Sequence, residues 1–264
     1  MNKILSEINY EDFILNYLHE NNKFIIRKNE NYNRNVAMDT ELLLKFLEDT
    51  QPDMVAALKK IYKSAYEQTI INYIDNTILQ KDNSLINVLK NGIELNGYQI
   101  KLMYNQVATD FNPDLTEKYN KNILSVAKEV WINDTQRLDL VLFLNGIAIV
   151  TVELKCNFAG QSYEDAIYQY RFERDEKNRI FRFKKGALVN FAMDLNEVYM
   201  CTHLNGSSSY FLPFNMGNGK GIETGKGNPV YPDKYSAYYM WDDIFTKDTI
   251  IELISKYIFI EKKE

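Results

Sequence analysis

The apolar residues change their period several times along the chain, and each change predicts an element. From Glu7 to His19, residues Ile8, Phe13, Ile14, Tyr17 and Leu18 form a helical stripe. Thr40 to Leu47 predicts a second helix. Pro52 to about Leu79 predicts one long helix or two, with Met54, Val55, Leu58, Ile61, Tyr62, Ala65, Ile70 and Ile74 inward. The tyrosines of this part are expected in the core rather than stacked on bases. From Gly92 to Tyr104 the period falls to two around Asn96-Gly97, a hairpin by its turn chemistry. Asn105 to Tyr119 predicts a loop with a short helix, and Ile123 to Ile132 a strand. Ser162 reads as the N-cap of a helix running to about Asp175, with Glu164 and Asp165 in its first turn. Ala187 to Met193 and Val198 to His203 predict two strands, the second pairing in parallel with the core. Asn205 to Asp233 is a long loop, and the chain turns helical again from Ala237.

The stretch from Arg137 to Cys156, RLDLVLFLNGIAIVTVELKC, departs from all of these. It predicts two strands joined at Asn145-Gly146, apolar on both faces as at the centre of an α/β sheet. Asp139, Glu153 and Lys155 interrupt the apolar run. A lone charge in such a place costs several kcal/mol or more, roughly, unless it is paired or bound to a metal. Two carboxylates suit Mg²⁺, which keeps several waters and completes its shell from phosphate. A lysine two residues beyond the glutamate points to the same face, where it can orient a water or neutralise charge on phosphate. Asp139 followed by Glu153-Leu154-Lys155 therefore reads as a metal-dependent phosphodiesterase site, with Asp139 and Glu153 on the metal. A structural ion pair, Asp139 with Lys155 or Arg137 with Glu153, fits the same residues. The register constrains the choice. A two-residue Asn-Gly turn would set Asp139 opposite Val152 and send Glu153 to the other face. Sharing a metal requires a three-residue loop from Leu144 to Gly146, or a bulge near Asp139.

Composition narrows the setting. No apolar run approaches the roughly 20 residues of a membrane span, and Met1 to Phe13 lacks the apolar core of a signal peptide. Cys156 and Cys201 stand apart, so neither a disulfide framework nor a zinc site is indicated, and a cytoplasmic location is expected. His19 and His203 are too few for a histidine-ligated metal. The net charge of −5 argues against a free-standing, tight DNA binder. Arg171 to Lys185 is locally basic, and reads as a solvated helix end or a phosphate-facing rim. Gly217 to Asn228, GNGKGIETGKGN, misses the glycine spacing of a phosphate loop, and is read as a surface loop.

In order along the chain, several motifs resemble the N-terminal endonuclease part of the restriction (R) subunit of type I restriction-modification enzymes. They are Tyr119-Asn120-Lys121-Asn122, Asp139 in LDLVLFLNGIAI, and VELK ending at Lys155. Ala166-x-x-Gln169, Phe214-Asn215-Met216-Gly217, Gly227-Asn228-Pro229 and Tyr238-Tyr239-Met240-Trp241 follow. The resemblance implies an α/β fold of the PD-(D/E)xK restriction-endonuclease class, a mixed central sheet flanked by helices with a helical N-terminal elaboration. It implies one endonuclease domain over residues 1–264. Residues 1–90 would be its mainly helical part, 91–235 the sheet core with the active site, and 236–264 helices leading to motor domains. The implied activity is Mg²⁺-dependent hydrolysis of double-stranded DNA. Asp139 and Glu153 would be the metal ligands, Lys155 the catalytic lysine and Gln169 the glutamine of the downstream helix motif. The tyrosine of that motif is replaced by Glu173. Glu11 in the first helix reads as an extra carboxylate near the metal or, as the preferred reading, a solvated helix residue. The partners implied are methyltransferase (M) and specificity (S) subunits, with ATP used only by motor domains that this sequence does not reach, so a fragment is expected. An idle docking scaffold and a repair or transposition nuclease of the same fold are the alternatives.

Overall fold

The computed structural model describes residues 7–107, 112–218, 221 and 227–260. Its centre is a mixed sheet in the spatial order β1 (Ile25–Arg27), β6 (Leu124–Trp131), β7 (Arg137–Leu144), β8 (Ile147–Leu154), β9 (Val189–Met193), β10 (Val198–Cys201), β11 (Leu212–Pro213). β1 runs parallel to β6 and β9 parallel to β8, while the other neighbours on this path are antiparallel. The parallel partner of the core is therefore β9, not the strand from Val198 that the sequence suggested. A short ribbon of β2 (Tyr32–Asn33) and β3 (Met38–Asp39) covers the turn end of β8, where Met38 pairs with Ile147.

Helices bury both faces of this sheet, which is why β7 and β8 are apolar on both sides. The larger core unites α1 (Glu7–Glu20), α2 (Thr40–Thr50), α3 (Pro52–Tyr62), α4 (Tyr66–Leu79) and α5 (Leu85–Asn91) with the C-terminal α8 (Lys247–Glu252). A second hairpin, β4 (Ile93–Leu95) and β5 (Tyr98–Ile100), also packs there. The smaller core lies on the other face, under α7 (Tyr163–Tyr168). α6 (Pro113–Asn120) leads into β6.

Local chemistry explains most boundaries. Asp39 caps α2 by accepting from Leu42 N, and Ser162 caps α7 in a reciprocal box with Asp165. The break between α3 and α4 falls at Lys63, whose positive φ of 53° ends the first helix in a 3₁₀ turn. That break resets the helical phase, so Ile61 and Ala65 face solvent and Tyr66 turns inward. The pattern of the sequence does not predict α5 or the three strands before α2. They are short, and tertiary pairing decides them.

Several motif asparagines prove to be hydrogen-bond hubs. Buried Asn145 takes Ile123 N on Oδ1 at 2.7 Å, and its amide nitrogen donates to the Leu102 carbonyl at 2.9 Å and Asn122 Oδ1 at 3.0 Å. Asn228 receives Met216 N at 2.7 Å and donates to the Asn196 carbonyl at 2.7 Å, closing the long loop onto the turn between β9 and β10. Much of the Gly217 to Asn228 stretch lies outside the described residues. Among the described residues no helix is long and apolar enough to cross a membrane.

Candidate active site

β7 and β8 meet in a two-residue turn whose Asn145 and Gly146 both have positive φ, 52° and 80°, the type I′ geometry that matches strand twist. The turn pairs Leu144 with Ile147 and Phe143 with Ala148. The register then shifts, because Leu142 pairs with Val150 and Leu140 with Val152, leaving Ile149 as the extra residue of a bulge. The cores record the consequence. Ile147 and Ile149 belong to the larger core before the bulge, and Val150, Val152 and Leu154 belong to it afterwards. Thr151, Glu153 and Lys155 are thereby turned to the opposite face, that of the smaller core, where Val141 and Phe143 of β7 already lie. Asp139, two residues before Val141, shares that face. The register shift comes from a bulge, as one of the two expected devices, but it lies on β8 at Ile149, opposite Leu142 and Phe143, and not near Asp139.

Asp139 is half-buried, and its Oδ2 accepts from Leu154 N at 2.7 Å, tying it across to β8. Glu153 is completely buried. Arg174 Nε donates to Glu153 Oε1 at 2.7 Å, and Arg174 Nη2 donates to the Arg137 carbonyl at 3.0 Å. The second oxygen, Oε2, is buried and receives no hydrogen bond from a protein donor, its acidic neighbour being the Asp139 carboxyl. Burial pushes the Glu153 carboxyl well above the usual carboxylate range; Asp139 adds repulsion, and Arg174 opposes both. At Arg174, burial works against the charge and the adjacent Glu153 carboxylate outweighs it, raising the guanidinium. Lys155 is also buried, and its N–H donates to the Met193 carbonyl at 2.9 Å, so β9 fixes the backbone of the strand end that carries it.

The helix over this face begins at α7 and continues as a π-helical stretch, Gln169–Glu173. Gln169 Oε1 is buried without a hydrogen-bond partner. Tyr170 is buried, its hydroxyl 2.9 Å from Thr151 Oγ1, which also donates to Asn190 Oδ1 at 2.8 Å. Burial raises the Tyr170 phenol well above its ordinary value, and Glu153 adds to the rise.

The structure corrects several expectations. Glu11 is buried, not solvated. Arg137 pairs with Glu129 at 3.0 Å, so the ion partner of Glu153 is Arg174 instead. The basic segment is only partly solvated: Lys177, Arg182 and Lys184 are exposed, while its other cations are tied down. Besides Arg174, it sends Arg179 to Asp75 at 2.7 Å and Arg171 to the Ser209 carbonyl at 2.9 Å. Arg174 is the residue that sequence reading missed as part of the site. In the sequence it is only one cation in a mixed run, and no spacing links it to a glutamate 21 positions earlier.

Among the described residues no group of three or more His, Cys, Asp and Glu side chains is arranged to hold a metal. What the face offers is two carboxylates, Asp139 and Glu153, with one buried oxygen left open. This hard-oxygen pair fits Mg²⁺, which needs few protein ligands because it retains water and binds phosphate. A mixed sheet that brings two acidic side chains to one helix-covered face defines an α/β protein with a buried acidic site. Residues 4–209 match the family described as type I restriction enzyme R protein N terminus, and the chain belongs to that family. It is also similar to a Methanocaldococcus jannaschii protein named "Putative type I restriction enzyme MjaVIIIP endonuclease subunit". The two are 27% identical over 207 residues, which is 76% of this chain and 18% of that relative's length.

Proposed function

We propose that this chain is the nuclease domain of a type I restriction enzyme R subunit, with a PD-(D/E)xK active site that hydrolyses phosphodiester bonds of double-stranded DNA and requires Mg²⁺. Asp139 and Glu153 would hold the ion. Bound there, it would acidify a water and stabilise charge on the attacked phosphate. Lys155, two residues beyond Glu153 on the same face, orients the attacking water and offsets charge on the phosphate oxygens. Gln169 holds a polar group over the same part of the sheet. The observation that carries the reading is the bulge at Ile149, which brings Asp139 and Glu153 to one face and leaves a buried carboxylate oxygen open. Burial and Asp139 favour the protonated form of Glu153, and a cation bound between the two carboxyls would offset both effects and hold it as a carboxylate.

Family membership and the name of the relative support this assignment. The net charge of −5 suits a domain whose DNA is delivered by other parts of an assembly. Those parts would be ATP-driven translocating domains, with methyltransferase and specificity subunits. One observation favours a second reading, an idle docking scaffold: Arg174 already neutralises Glu153.

Calorimetric titration of Mg²⁺ into the wild type and into Glu153→Ala, each with and without duplex DNA, separates the two. Saturable binding by the wild type, lost in the variant, supports the nuclease. No binding in any of the four titrations leaves the scaffold.

A further inference from the structure

The guanidinium that neutralises Glu153 does so in an unusual place. Both side chains are withdrawn from water, at 8% and 0% exposure, so this is not a solvent-screened surface pair. Arg174 spends one nitrogen on Glu153 Oε1 and another on the Arg137 carbonyl at the start of β7. The Gln136 side chain meanwhile donates to the Glu173 carbonyl, fastening the strand start to the residue just before Arg174. Gln169 opens the π-helical stretch, and Arg174 follows directly after its last residue, Glu173, in extended backbone. Gln169 and Arg174 thus come off one short segment, which packs over the carboxylate face. The arginine engages only one of the two oxygens of Glu153.

We propose that Arg174 is a positioning residue of this site: anchored on the Arg137 carbonyl, it fixes the Glu153 carboxylate through Oε1 so that Oε2 is presented to the cation. The inference rests on the metal-site reading above. A fork is needed for the task. The planar guanidinium reaches two acceptors in different directions at once, which an ammonium on a flexible stem does not reproduce. Groups that orient a metal ligand in this way change metal affinity by about 10–100-fold when removed, whereas an arginine that merely stabilises the fold changes the melting temperature and leaves affinity alone.

The test is Mn²⁺ binding, with free Mn²⁺ counted by its electron paramagnetic resonance signal, in the wild type, Glu153→Ala, Arg174→Met and Arg174→Lys. Circular dichroism and thermal melts accompany each protein. The expected order is tight binding by the wild type, binding weakened about tenfold or more in Arg174→Met, an intermediate value in Arg174→Lys, and none in Glu153→Ala. A folded Arg174→Met with wild-type affinity overturns the proposal and leaves the metal site standing. If Arg174→Met fails to fold, Arg174→Lys decides: wild-type affinity there overturns the proposal, and a severalfold loss upholds it. A wild type that binds no Mn²⁺, with or without duplex DNA, removes the site reading and this inference together.

Discussion

The turn that sets the register of the central hairpin should be far less tolerant of a methyl group than its twin elsewhere in the chain. Two Asn-Gly turns share the same backbone: Asn145-Gly146 with φ of 52° and 80°, and Asn96-Gly97 with φ of 52° and 78°. Replacing either glycine by alanine puts an L side chain in the left-handed region, which costs about 1–2 kcal/mol, less about 0.4–1 kcal/mol regained because the unfolded chain becomes stiffer. At Gly97 nothing lies within 4 Å of the added Cβ, so that balance is the whole effect. At Gly146 the Cβ would meet the Asp39 carbonyl oxygen at 2.3 Å, Leu43 N at 2.6 Å and Leu43 Cβ at 2.9 Å. These atoms belong to β3 and the first turn of α2, held by the Asp39 cap and by the bond from Asp39 N to the Gly146 carbonyl at 2.7 Å. Backbone has to move, and overpacking of this kind adds about 1–3 kcal/mol. Gly146→Ala is thus expected to lose about 2–4 kcal/mol and Gly97→Ala about 1 kcal/mol or less. Urea unfolding of the two variants beside the wild type measures both. Equal losses, within about 0.5 kcal/mol, would show that β3 and α2 do not press on the central turn, and that the hairpin is placed by something else.

The pH dependence of stability follows from Glu153. Its raised carboxyl means that, above the ordinary value of 4.5, the folded state keeps a proton that the unfolded chain releases. The stabilisation from this group is therefore full below pH 4.5 and is lost as the pH rises through the raised value. In metal-free buffer Glu153→Gln should flatten that decline in urea midpoints, and a variant as pH-sensitive as the wild type would count against it. Tyr170→Phe removes the hydroxyl from Thr151 and should cost about 1 kcal/mol, read from the same unfolding curves; no loss would mean that the buried hydroxyl contributes nothing. Asp75→Ala strands Arg179, which is largely buried and doubly bonded to that carboxylate, and should cost about 3 kcal/mol. A loss near that of an exposed pair, below about 1 kcal/mol, would refute it.

Much of this protein is legible in its amino-acid sequence because the chemistry involved is local. The stripe of α1, the cap at Ser162, the two Asn-Gly hairpins and the doubly buried β7 and β8 depend on residues within a turn or two of one another, so period and turn composition carry them. So does the chemical identity of the site: acids and a lysine inside an apolar hairpin are conspicuous wherever the strands end up. The sequence also states the condition for Asp139 and Glu153 to meet, a register shift of one. It points to the turn or to a place near Asp139, and the molecule makes the shift at Ile149. Ile149 is an ordinary strand residue, and it becomes the extra one only because the partner strand and both cores accept Val150, Val152 and Leu154 on the side where Ile147 and Ile149 already pack. Arg174 is hidden for a related reason. In the linear chain it is a cation among acids in a polar run. It becomes the partner of Glu153 only when a π-helical stretch and the start of β7 bring their ends together. Side chains decide local geometry at short range, whereas facing and pairing across the sheet depend on which distant surfaces must be buried at once.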